Sequence, residues 1–267
     1  MMKTMPVRPA TRKAAFPTVR ASRTEASMIE WKDLSPAHGE HPSASGLNFK
    51  FRGGRTYGIA VASREDGLVL ADVAAGCRAP RAGSVRVNGT DVRQGGVRVG
   101  HGIGYAPAIP SLYGEMTPRE LLTFVARADG REIGSDGRGV ERWLEAAGLT
   151  DVADRLIFHL GAEEKRLVCV AQATLGAPPL MILNEPYSDL SPRAATELTH
   201  FLQEVCGAPG AATSTVIFIA PSEALPRALC DEILSVGDAG LVPEIVDAVP
   251  ELPPETPDQE KAEEGNI

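Results

Sequence analysis

Apolar residues along this chain fall into two kinds of pattern. Short, near-continuous runs recur at YGIAVA (Tyr57 to Ala62), PLMILN (Pro179 to Asn184), TVIFIA (Thr215 to Ala220) and EILSV (Glu232 to Val236). Runs of that length, apolar on both faces, predict strands of a sheet covered on both sides. Between them, Val140, Trp143, Leu144 and Ala147 repeat at helical spacing, as do Leu167, Val168, Ala171 and Leu175, and a further helix is expected around Arg193 to Val205. Thr117-Pro118-Arg119-Glu120 reads as a capping box with proline at the first helical position, opening a helix through Leu121, Leu122 and Val125. The front of the chain alternates instead. IEWKDLS is read as an edge strand, Gly53-Gly54 breaks LNFKFRGGRTYGIAVA into two strands, and Asn88-Gly89 within SVRVNGTDV predicts a two-residue hairpin, since both central positions of a type I′ turn need positive φ. The last strand is expected to end in the turn Gly237-Asp238-Ala239-Gly240. Strand and helix in alternation predict an α/β fold: a mostly parallel sheet flanked by helices, with a small antiparallel β part at the front and a helical insert over about residues 115–163.

Charge divides the chain further. Residues 1–27 carry Lys3, Arg8, Arg12, Lys13, Arg20 and Arg23 against Glu25, a balance of +5, while residues 244–267 carry eight acids against Lys261, a balance of −7. Both ends are expected to be disordered tails flanking one domain over 28–243, because neither has the apolar content to bury itself. The basic tail also has the composition of a transit peptide, but no cleavage signal is evident, and Met28, which opens the first patterned strand, is an alternative start. No apolar run approaches the roughly 18 residues that span a bilayer, so a membrane role is expected only through a partner. Cys77, Cys169, Cys206 and Cys230 form no CxxC and no Cys/His cluster, which argues against a zinc site and for a reducing compartment. Nothing in the charge distribution suggests a nucleic-acid surface.

The chemistry is concentrated at strand-to-helix junctions. GIAVASREDGLVLADVAAG places a polar loop between a buried strand and a helix, where an α/β protein keeps a phosphate site, yet that loop has no lysine. Downstream, LMILNEPYSDLSP (Leu180 to Pro192) puts Asn184 and Glu185 at the end of a buried strand, with LGAPP before it and MTPRELL, AAGL and ALCDEILSVGDAGLV at other points in the same order. Taken together these runs resemble the ATP-binding cassette of ABC transporters over about residues 28–243, in register but with each motif altered.

The resemblance implies a P-loop NTPase-like fold and assigns roles by position. The family's GxxxxGKS/T loop falls on Val61 to Val69, with Gly67 at the lysine position, Leu68 at the magnesium-binding hydroxyl and Val61, Arg64 and Asp66 where glycines stand; Ser63-x-x-Asp66 is instead a helix-capping pattern. The LSGGQ segment falls on Leu160, Gly161, Ala162, Glu163 and Glu164. Asn184 replaces the metal-binding aspartate, Glu185 matches the general base, Ala108 and Pro221 replace the expected glutamine and histidine, and His38 lies where an aromatic stacks on adenine. These departures imply a non-hydrolytic ATPase-like subunit, structural or regulatory, partnered with a membrane permease, a companion ATPase or a second copy, and cytoplasmic at the membrane periphery. ATP and Mg2+ are implied only for the alternative, an active transport subunit; a soluble interaction module outside transport is the third reading. Acids at both helix starts, Glu65 and Asp66 in one and Glu163 and Glu164 in the other, are expected to repel a triphosphate.

Overall fold

A computed structural model describes residues 29–36, 45–93, 102–128, 139–207, 214–237 and 240–244. His38, the basic tail, the acidic tail beyond Glu244 and the middle of the Gly237–Gly240 turn lie outside the described residues; Glu244 itself is tied to the sheet, its N–H donating to Ile233 O at 2.8 Å.

Two sheets form the body. The larger has six strands in the order β10-β9-β3-β8-β7-β6, built from β3 (Thr56–Val61), β6 (Ile103–Ala106), β7 (Leu180–Asn184), β8 (Thr215–Pro221), β9 (Glu232–Gly237) and β10 (Gly240–Pro243). Every pairing in it is parallel except that of β10 with β9. β7 and β8 are wholly apolar save at their ends, and their residues alternate between two cores: Leu180, Ile182, Ile217 and Ile219 face one, and Met181, Leu183, Val216 and Phe218 face the other. The period of two fixes the register, because a one-residue slip would exchange the two sets.

The first core lies between this sheet, α1 (Arg64–Ala74) and the smaller antiparallel sheet, ordered β2-β1-β4-β5, with β1 (Ile29–Ser35), β2 (Leu47–Phe51), β4 (Ala82–Val87) and β5 (Thr90–Asp91). Trp31, Phe49, Phe51 and Tyr57 meet edge to face there, with ring centroids 4.7–6.1 Å apart. IEWKDLS is a strand but not an edge: β1 pairs with β2 on one side and β4 on the other. Its two central acidic and basic positions are exposed on one face of the sheet, so polarity there reports the solvent face and not an unpaired flank. The Asn88-Gly89 turn forms with positive φ at both residues, 51° and 79°, and closes the β4–β5 hairpin.

The second core carries α4 (Ala162–Thr174), α5 (Pro192–Cys206) and the insert helices α2 (Pro118–Ala128) and α3 (Gly139–Ala146). Thr117 and Glu120 make the reciprocal cap of α2, with the Glu120 N–H donating to Thr117 Oγ1 at 3.2 Å and the Thr117 N–H to Glu120 Oε2 at 2.9 Å. Arg119 then holds Asp154 at 2.8 Å and Glu141 at 2.8 Å, stitching α2 to α3 and to the turn beyond it. The indole N–H of Trp143 donates to Ala171 O at 3.1 Å, which seats α3 on α4.

α4 runs unusually close to β6. A Cβ placed on Gly104 would lie 1.8 Å from Ala173 O and 2.9 Å from a Pro178 ring carbon, so only glycine permits the contact. Gly104→Ala is therefore expected to destabilise the protein by about 3 kcal/mol, at the upper end of overpacking costs, read as a shift in the urea midpoint with an unchanged slope; a loss under about 0.5 kcal/mol would contradict the close approach.

Candidate site at the carboxyl ends of the parallel strands

β3, β8 and β7 end side by side, with Val61 in register with Pro221 and Asn184 with Ile219. Open α/β sheets bind ligands at this edge. Only Ala62 and Ser63 separate the last residue of β3 from the first of α1. Ser63 is the N-cap, in extended conformation, and its Oγ accepts from the Asp66 N–H at 3.1 Å while its hydroxyl donates to Asp66 Oδ2 at 2.6 Å. The Gly67 N–H already closes a helical turn on Ser63 O at 3.1 Å. Residues 64–69, read by position as most of a phosphate loop, are thus α-helix, and the Asp66 and Gly67 amides are committed to its cap and first turn.

Space is equally committed. Gly67 is buried, and a Cβ there would meet Val61 Cγ2 at 3.2 Å and Asn184 Oδ1 at 3.6 Å. Leu68 and Val69 are half-buried on the next turn and carry no hydroxyl or charge. Asn184, fully buried, donates from its side-chain amide to Gly67 O at 3.2 Å, tying β7 to α1.

Glu185 follows at the end of β7 with φ 46°, a left-handed conformation costing about 1 kcal/mol in a residue with a side chain. It is 5% exposed, and three contacts hold it: its N–H donates to Ile219 O at 3.0 Å, the Ser188 hydroxyl donates to Oε2 at 2.8 Å, and Arg64 Nη2 lies 3.0 Å from Oε2. Arg64 comes from the first residue of α1 and remains about half exposed. Asn184 Oδ1 and Glu185 Oε1 are buried without a hydrogen-bond partner among the described residues, two neighbouring acceptors that favour positive charge or a donor.

The segment Leu160–Glu164 is not brought to the start of α1. Gly161 caps α4, its N–H donating to Glu164 Oε2 at 2.7 Å, and Glu163 Oε2 accepts from the Ser191 N–H at 2.7 Å. That backbone donor, helped by the Ser191 side chain, holds the Glu163 carboxyl below its ordinary value. Ser191 in turn caps α5. Glu163 therefore spans the starts of two helices within one chain. Arg166, one turn further along α4, was not singled out from the sequence; it is 1% exposed, donates to Pro107 O at 2.9 Å and to Ala108 O, and lies 3.8 Å from Asp189 Oδ2. The sequence signal was an arginine on the same helical face as the buried Val170 and Ala173. Ala108 and Pro221 sit at the ends of β6 and β8 but offer no side-chain donor to the site.

The arrangement does not fit a magnesium–triphosphate group. The connection is too short to cradle phosphates, a side chain at the lysine position would press on Val61, and the buried Glu185 carboxylate is paired with Arg64. A single amide and that carboxylate fall short of the oxygen set a hard divalent cation takes, and no group of three or more His, Cys, Asp or Glu among the described residues could hold a metal. A cavity of about 490 Å³ lies behind Glu185 and is lined by Tyr187, Ser188, Thr199, Leu225 and Arg227 among others, not by residues 61–69.

Comparison with known proteins gives one consistent picture. Residues 69–188 match the family model described as ABC transporter. The chain is 26% identical over 219 residues to Nod factor export ATP-binding protein I of Rhizobium etli, covering 80% of this chain and 69% of that protein. It is 27% identical over 223 residues to the methionine import ATP-binding protein MetN of Caulobacter vibrioides, covering 81% and 66%. The matched region thus spans about two thirds of these relatives. Among solved structures it superposes on an ATP-binding subunit of an ABC transporter with TM-score 0.66 at 23% identity, covering 80% of this chain and 88% of that one. A dimeric ATP-binding cassette in a post-hydrolysis state with ADP and Pi gives 0.69 at 16% identity, covering 81% and 97%. At these identities the structural likeness speaks for the fold.

Two outcomes follow from the contacts. Arg64→Met should cost about 1–2 kcal/mol by leaving Glu185 buried and unpaired, discounted because Arg64 is half exposed; adding Glu185→Gln should recover about 1 kcal/mol of it in a double-mutant cycle, and strict additivity would deny the ion pair. Glu163 contributes fully above the unfolded carboxylate's 4.5, and its contribution is lost as pH falls through the lower folded value. Glu163→Gln should therefore flatten the fall of stability below about pH 4.5, checked by urea unfolding across pH; parallel curves for the two proteins would contradict the tether.

Proposed function

The folded part of this chain belongs to the ATP-binding domains of ABC transporters, and on that premise we propose that it is a non-hydrolytic subunit, a structural or regulatory partner of a membrane permease or of a companion ATPase. The observation that carries this reading is the junction of β3 and α1, where a two-residue connection, a capped helix and the Arg64–Glu185 ion pair take the place of a phosphate cradle. Ser63 and Asp66 occupy the helix start where an anion would dock, and Arg64 neutralises Glu185, the acid at the general-base position.

Large apolar side chains are exposed beside the helical insert. Ile109, Tyr113 and Phe158 are 67%, 62% and 74% exposed. Tyr113 and Phe158 belong to one surface, since the Phe158 N–H donates to Gly114 O at 2.9 Å. Aromatic and aliphatic side chains left in water beside the insert support a protein partner. No helix among the described residues is long and apolar enough to cross a membrane. The reading therefore puts the chain at the cytoplasmic face of a membrane through its permease partner, with any pairing to a second cassette made without nucleotide.

The test is titration of the purified chain with ATP and Mg2+, by calorimetry and by thermal unfolding. A ligand at 100 times its dissociation constant adds about 2.7 kcal/mol, a shift of several degrees for a domain of this size. The expected result is no heat, no shift at millimolar ATP, and no phosphate release. The combined variant Glu65→Gly, Asp66→Gly, Gly67→Lys is likewise expected to gain no affinity, because Val61 and Asn184 already fill the place the lysine would need. Saturable micromolar binding by the unaltered chain would overturn the proposal.

A further inference from the structure

The helical insert leaves the larger sheet after β6 and returns to it through α4, so a rotation of the insert against the sheet has to bend the chain at those two places. Beyond the packing of α4 on β6, one buried side chain reaches between them. Arg166 reaches from the first half of α4 to the carbonyl oxygens of Pro107, at 2.9 Å, and Ala108, the residues that follow β6, and its Nη2 lies 3.8 Å from Asp189 beyond β7. The start of α4 is tied again from its exposed side, where Glu163 accepts the Ser191 N–H at 2.7 Å. Trp143 carries α3 on the same helix through Ala171 O, and Arg119 carries α2 on α3.

We propose that Arg166 and Glu163 are positioning residues that lock insert and sheet into one rigid body, so that the apolar patch of Ile109, Tyr113 and Phe158 is presented to a partner at a fixed angle. The inference rests on the reading of this chain as a non-hydrolytic docking subunit. A guanidinium is planar, and its two terminal nitrogens match two successive carbonyls as a fork. Arg166 is 1% exposed and its Nε has no partner among the described residues, so its charge depends on those carbonyls and on Asp189. Turning the insert away would strand a buried cation. The same movement would pull the Glu163 carboxylate off the start of α5. Both ties hold the first turns of α4 and so resist the same rotation.

The experiment uses the full chain in a Cys77→Ser background with spin labels at Arg127→Cys on α2 and Arg86→Cys on β4, both exposed. The interspin distance distribution is expected to be single and narrow, and unchanged by ATP with Mg2+. Arg166→Met should broaden or split it, and Arg166→Lys, which keeps the charge and loses the fork, should not restore it. Glu163→Gln, a surface change, should broaden it in the same sense and decides the matter where Arg166→Met does not fold. A role confined to stability would lower Tm and leave the width alone, and a narrow distribution in either folded variant, or a broad one in the parent, would overturn the lock. Nucleotide binding by the parent would overturn the functional reading without touching this one.

Discussion

The closeness of α1 to the ends of β3, β7 and β8 decides what this molecule can do. Val61 and Gly67 are in contact, Asn184 bonds the Gly67 carbonyl, and two residues bridge strand to helix. A loop that wraps an anion needs several consecutive amides turned outward, and glycines where the backbone passes close to the ligand. Here the helix begins at once, and the Asp66 and Gly67 amides are turned to Ser63. The acids in its first turn, Glu65 and Asp66, are stabilised by the same dipole that elsewhere holds phosphate. Geometry constrains this position before its side chain does, since replacing Gly67 by a longer residue demands that Val61 give way.

The same constraint explains the division of labour across the surface. Near the carboxyl ends of the strands and the starts of α4 and α5, several charged side chains are paired within the chain: Arg64 with Glu185, Asp66 with Ser63, Glu163 with the Ser191 N–H. Beside the insert the opposite holds, with large apolar side chains exposed. A transport cassette must couple a changing site to a docking face, whereas a holding subunit needs only the face. Internal pairing lessens the electrostatic tension that a ligand would otherwise relieve.

Much of the fold could be read from the chain because its strands are buried on both faces and write themselves as unbroken apolar runs; TVIFIA and LMILN are the clearest. Caps were legible for the same local reason, as Thr117 with Glu120 and Ser63 with Asp66 lie three residues apart. What was not legible was non-local. IEWKDLS carries no mark of its neighbours, so its place between β2 and β4 could not be inferred from its own alternation. Arg64 and Glu185 sit on different elements and meet only because β3 and β7 flank β8. Arg166 looked like one more charge in a polar helix start, when it is among the most buried side chains in the protein.

The survival of Glu185 is the strongest reason to think of catalysis, and its surroundings weaken that reason. A base must be free to take a proton from a positioned water. This carboxylate is instead fixed by Ser188 and Arg64 on one oxygen, while its backbone N–H is spent on Ile219. Burying a charge is costly unless it is paired, and replacing one member alone strands the other, so a carboxylate with such partners is kept in place by folding whatever its chemical history. The residue that looks most like a relic of hydrolysis is held by the contacts that now join α1 to the sheet. Its left-handed backbone belongs to the same economy: the strain is tolerated because the turn after β7 delivers Glu185 to Arg64 and Asp189 toward Arg166, closing both ends of the junction at once.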